Sequence, residues 1–128
     1  MVFVYIAEAH AADEWQVQSN EEQSILVHQH TTLAARAAAA REGAHRLGLM
    51  MPLLLDGMDN AASEAFAAWP ERIYVVGVDG RIAFKGGPGP WEFDPAAAGA
   101  ALDEILRGAN ARRSARRARS RRARRSSR

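Results

Sequence analysis

Acidic and basic residues are segregated along this chain, and that segregation limits how much of it can share one core. All 15 Asp and Glu lie between Glu8 and Glu104, whereas 11 of the 17 Lys and Arg fall between Arg107 and Arg128. The first 106 residues hold only six bases, Arg36, Arg41, Arg46, Arg72, Arg81 and Lys85, against the 15 acids, leaving −9. The last 22 carry +11, so the formal charge of +2 describes neither part. Arginines at that density repel one another, and Ala is the largest apolar side chain among them. The expectation is one domain over residues 1–108 and a disordered Arg-rich tail over 109–128.

The chain has no cysteine, which excludes disulfides, Cys-ligated zinc and a Cys nucleophile within it. The apolar run Met1 to Ala7 is too short for a signal peptide core or a membrane span and follows no basic segment. The expected setting is the cytoplasm.

Val2 to Ala7 reads VFVYIA, a β-branched and aromatic run that predicts a strand buried on both faces. His10 to Ser24 reads as a loop with room for one helical turn around Ala12–Gln16. Thr31 or Thr32 caps a helix through LAARAAAAREGAHRL, with Gly48 as its stop. MPLLLD is a second short strand, and Asp59 or Asn60 caps a helix ended by Pro70. ERIYVVGVDGRIAFKG predicts a β-hairpin turning at Asp79-Gly80. After the loop GGPGP, Asp94-Pro95 starts a last helix that should stop at Gly108. This order predicts an α/β fold with a mixed sheet flanked by helices.

Five blocks, in order, resemble the iodothyronine deiodinase family. VYIAEAHAADEW (Val4–Trp15) is similar to its VYI-x-EAH-x-x-D-x-W motif, and QHTTLAAR (Gln29–Arg36) to QHRSLEDR. DGMDN (Asp56–Asn60), PERIYVV (Pro70–Val76) and FKGGPGPWEF (Phe84–Phe93) match further blocks, so the resemblance covers about residues 2–107. It implies a thioredoxin-like fold of the peroxiredoxin-like branch, here without the first core strand and helix. It also implies reductive removal of iodine from a phenolic ring by a selenocysteine or cysteine, with a thiol reductant. That nucleophile belongs in the loop after the first core strand, and this chain has none. A gene reading that stopped at a selenocysteine UGA codon and restarted at Met1 would produce such a sequence, so this chain alone is expected to be inactive.

Reductive dehalogenation needs a soft nucleophile to take the halogen and an acid to protonate the ring carbon, and carboxylate–imidazole pairs suit the second task. If the first strand continues that far, its alternation puts Glu8 and His10 on one face. By resemblance Glu8 and His10 match a proton-relay and substrate-contacting pair, His30 a second active-site histidine, and Tyr5 a tyrosine of the same network. Trp15, Pro70, Gly87 and Pro88 are the candidate substrate-binding residues, with Pro70 the candidate cis-proline. Vertebrate members often carry a basic residue where Pro88 stands, so a smaller halogenated phenol, or an unrelated disulfide or peroxide, competes with an iodothyronine as substrate.

Other readings are weaker. His28 and His30 have no third ligand in sight, so no metal is expected. Gly86, Gly87 and Gly89 precede Pro90 and a Trp instead of a helix, which argues against a phosphate cradle. Residues 107–128 could bind nucleic acid or an anionic membrane by counterion release. With no aromatic after Phe93, stacking on bases is poorly supported, and a solvated tail is the expectation. The alternative function is a non-catalytic thioredoxin-like remnant that binds an anionic polymer or a partner through this tail. An unpaired edge of VFVYIA would favour association, for instance as a homodimer.

Overall fold

The computed structural model describes the backbone of residues 1–126 and the side chains of residues 1–119. Its elements run β1 (Phe3–Tyr5), α1 (Gln18–Glu22), α2 (Leu33–Arg46), β2 (Leu53–Leu55), α3 (Ala61–Phe66), β3 (Tyr74–Val76), β4 (Ile82–Lys85) and α4 (Pro95–Ser126). The α/β class is as expected. The strands, however, form two separate two-stranded ladders where a single mixed sheet was expected. The chain divides into two compact units, one of Met1–Arg72 with Pro88–Pro90, the other of Ile73–Gly87 with Trp91–Arg128.

In the first unit β1 and β2 are parallel, with Phe3 opposite Leu53 and Tyr5 opposite Leu55. The ladder runs one bond further, the Asp56 amide donating to the Tyr5 carbonyl at 2.9 Å. Helix α2 packs against β2. Its start follows from Thr32, whose hydroxyl accepts the Ala35 amide at 3.2 Å, and its end from Gly48 at φ +61°, the left-handed conformation that glycine adopts freely. Expected burial of β1 on both faces is not found: Phe3 and Val4, on opposite faces, are 37% and 40% exposed. Among the described residues β1 pairs with β2 alone, and one two-stranded ribbon cannot cover both of its own faces. The loop over residues 10–24 contains the short helix α1 at Gln18–Glu22, later in the chain than the turn expected around Ala12–Gln16.

Helix α3 is capped from a distance. Asn60 precedes it in a left-handed conformation without a capping hydrogen bond. Asp56, buried, instead accepts the Ala62 and Ser63 amides at 2.9 and 2.8 Å. The Trp69–Pro70 and Gly89–Pro90 peptides are both cis, and the Gly89 amide donates to the Glu71 carbonyl.

In the second unit β3 and β4 form the expected antiparallel hairpin, with a bulge at Val75/Val76. Gly80, at φ +78°, closes its turn by donating to the Gly77 carbonyl. Asp94 accepts the Ala97 amide at 2.9 Å and so caps α4, whose first turns pack on the hairpin and bury Ala98. The stop expected at Gly108 is absent. Residues 109–126, expected to be disordered, continue α4; residues 127 and 128 lie outside the described ones. Ala and Arg are among the strongest helix formers, and one interior glycine costs only about 1 kcal/mol. Among the described residues no helix is long and apolar enough to cross a membrane.

Candidate functional site

Side chains converge where the parallel strands end, the edge at which open α/β sheets place their ligands. Tyr5 is the last residue of β1, and its hydroxyl donates to Glu8 Oε1. On its other side it lies 3.5 Å from His30 Nε2, the two ring centroids 5.8 Å apart. His30 is buried, and its Nδ1 sits 3.0 Å from the His28 carbonyl. A carbonyl only accepts, so Nδ1 carries the proton and neutral His30 presents an unprotonated Nε2 toward Tyr5.

Two further side chains set this geometry, and neither was singled out from the sequence. The Gln29 carboxamide bridges both backbone groups of Glu8, accepting its amide at 3.2 Å and donating to its carbonyl at 3.1 Å. The Gln29 amide in turn donates to Asp13 Oδ1 at 2.8 Å, and this bond, foremost, holds the Asp13 carboxyl below its ordinary range. These contacts fix the Glu8 loop beside the segment carrying His30. Arg36, on the inner face of α2, is almost fully buried. It donates from Nη1 to the Asp56 and Gly57 carbonyls and from Nη2 to Asn60 Oδ1.

Electrostatics set where a proton rests. Burial raises the Glu8 carboxyl, and the positive charge of Arg36 partly opposes it. Burial lowers His30, and Arg36 adds to that effect. Both shifts favour the uncharged form of each group. When Glu8 takes up a proton it can donate to the Tyr5 oxygen in turn, which frees the Tyr5 hydrogen to turn to His30 Nε2. The triad is thus a three-member chain able to hold a proton at one end and receive one at the other.

The remaining candidates are not drawn into this cluster. Because β1 ends at Tyr5, Glu8 and His10 lie on irregular backbone and share no strand face. His10 turns instead to Trp15, with Nδ1 3.2 Å from the Trp15 carbonyl and the two rings edge to face at 4.8 Å. Trp15 itself is 66% exposed. Pro70 follows its cis peptide in the first unit, where Pro88 is exposed. Gly87 belongs to the second unit, and a Cβ there would overlap the Glu92 side chain. His28 Nδ1 lies 3.8 Å from Asp13 Oδ2, with both side chains exposed.

Comparison with known proteins identifies the family behind this arrangement. The family profile for iodothyronine deiodinase matches residues 1–105. The chain is 39% identical over 94 residues to the type I iodothyronine deiodinase of Xenopus laevis, covering 73% of this chain and 35% of that protein. It is 43% identical over 90 residues to the thyroxine 5-deiodinase of Gallus gallus, covering 70% and 33%. With the Homo sapiens thyroxine 5-deiodinase it shares 37% over 92 residues, covering 70% and 28%. The chain belongs to the iodothyronine deiodinase family and spans about a third of the length of these relatives.

Proposed function

We propose that this chain is the proton-handling part of a reductive dehalogenase acting on an iodinated or otherwise halogenated phenol, in a thioredoxin-like fold. The observation that carries the reading is the Tyr5–Glu8–His30 cluster at the end of a parallel strand pair, in a member of this family. The 128 residues hold no cysteine, so the nucleophile is a selenolate or thiolate supplied from outside them, and this chain alone does not turn over.

In the proposed reaction the selenolate or thiolate attacks the iodine. The carbon–iodine bond breaks, a selenium–iodine or sulfur–iodine bond forms, and the ring carbon takes a proton. A thiol of the reductant then displaces iodide, and a second thiol restores the nucleophile, leaving a disulfide; the substrate gains two electrons and the thiols lose them. Glu8, whose carboxyl burial pushes upward, supplies the proton. Tyr5 orients that carboxyl, the neutral His30 ring holds Tyr5 in place, and Glu8 regains its proton from solvent. His10 and Trp15 form a half-exposed wall that a phenolic ring stacks against.

The test is iodide release from an iodinated phenol with dithiothreitol, using the whole protein that the in-frame gene encodes. We expect turnover, and a loss of about 100-fold or more in Glu8→Gln, the scale typical of a positioned acid. A protein that releases no iodide, or a Glu8→Gln variant as fast as its parent, overturns the reading.

A further inference from the structure

We propose that the second half of α4 is a docking rod for double-stranded DNA, held in the major groove through its arginines without reading sequence. The helix runs unbroken to Ser126, and ten arginines lie between Arg107 and Arg125. At 1.5 Å per residue the five from Arg112 to Arg119 alone put five positive charges in about 12 Å of helix, comparable to the charge density of a duplex, one phosphate per about 1.7 Å of its axis. The length from Arg107 to Ser126, about 30 Å, is close to one turn of B-form DNA. Arg112, Arg113, Arg116, Arg117 and Arg119 are exposed, and none has a hydrogen bond or ion pair among the described residues. Stepping 100° per residue, they span an arc of about 160°, with Ala111, Ser114, Ala115 and Ala118 on the opposite side.

That pattern separates the candidate polyanions. A helix lying in a membrane surface needs Leu, Phe or Trp opposite its basic face, and beyond Leu106 the only apolar residue is Ala. Single strands are gripped by aromatic stacking, and the last aromatic is Phe93. An α-helix fits a groove about 12 Å wide, where the basic arc from Arg112 to Arg119 reaches the phosphates on its walls and the small residues opposite face outward. The major groove of an RNA duplex is too narrow and deep for it. Binding also relieves the like-charge repulsion between neighbours four apart, such as Arg112 with Arg116 and Arg113 with Arg117.

The experiment is fluorescence anisotropy of a labelled 20-base-pair DNA duplex titrated with the full chain at several salt concentrations. The logarithm of the association constant should fall with the logarithm of salt with a slope of about −4.5 or steeper, which is about 500-fold or more between 50 and 200 mM. Replacing Arg112, Arg113, Arg116, Arg117 and Arg119 together by Gln, with helicity checked by circular dichroism, should make the slope shallower by about 4. A variant that binds like its parent overturns the proposal. So does binding no weaker to an RNA duplex or a single strand, or capture by phosphatidylserine vesicles with no binding to DNA.

Discussion

Helices α2 and α4 are built from nearly the same residues, Ala and Arg with an occasional Gly, yet they use them in opposite ways. In α2 the guanidinium of Arg36 is buried and joins the helix to the loop after β2 through the Asp56 and Gly57 carbonyls and Asn60. In the second half of α4 the arginines from Arg112 to Arg119 face solvent. Glycine shows the same contrast. Gly48 turns left-handed and ends α2, whereas α4 passes straight through Gly108. Gly permits a stop without imposing one. After Gly48 the chain is drawn into β2, with the Phe3 amide bonded to the Pro52 carbonyl, while the Ala- and Arg-rich residues beyond Gly108 favour more helix.

The strongest way to break this contrast is at Arg36. Replacing it with Met leaves two backbone carbonyls and the Asn60 side chain without their donor in a buried place. We expect a loss of about 3 kcal/mol, against less than about 0.5 kcal/mol for Arg116→Met. Urea unfolding of the two variants checks this, and equal midpoints would remove the distinction between a clamping and a solvated arginine. Next in size is Asp56→Ala, which strips two amides of α3 of their acceptor and should cost about 1–2 kcal/mol. It should also accelerate hydrogen exchange at Ala62 and Ser63 before the amides of α2.

Those two sites also mark the limit of what the sequence reveals. Thr32, Gly48, Asp94 and the turn at Asp79-Gly80 are legible because each acts within four residues of itself. Arg36 and Asp56 are not, since their partners lie about 20 and six or seven residues away and depend on how α2 meets β2. The usable signal for Arg36 was a long basic side chain within an Ala-rich helix, inside the matched block Gln29–Arg36. Tyr5, Glu8 and His30 were named together only through resemblance. Strand alternation brings Glu8 and His10 to one face only if β1 continues that far, and it stops at Tyr5. Hydrophobic pattern likewise shows what VFVYIA is suited to pack against, and it does not supply the neighbours.

The glycine comparison sharpens into two substitutions of opposite sign. Gly48→Ala forces a Cβ into a left-handed conformation and should destabilise by about 1 kcal/mol. Gly108→Ala places a methyl in open space and should stabilise α4 by up to about 1 kcal/mol. Circular dichroism melts of both variants read the two signs, and a destabilising Gly108→Ala would show that α4 is interrupted there.

The subtlest expected effect is a crossing of pH dependences inside the first unit. Glu8 has a folded pKa above its ordinary 4.5, so its contribution to stability is complete below that value and is lost as pH rises through the folded value. His30 is lowered from 6.5, so its contribution is complete above 6.5 and is lost as pH falls through its folded value. Burial opposes the charged form of each. Glu8→Gln should therefore gain stability relative to the parent as pH rises from 4 toward 7, and His30→Gln should gain as pH falls from 7. Arg36 lowers both groups, so Arg36→Met should raise the His30 midpoint, followed by the NMR signal of its ring, while Arg36→Lys holds it nearly in place. A His30 midpoint indifferent to the Arg36 charge would leave that arginine a mechanical clamp alone, with no part in deciding where the proton rests.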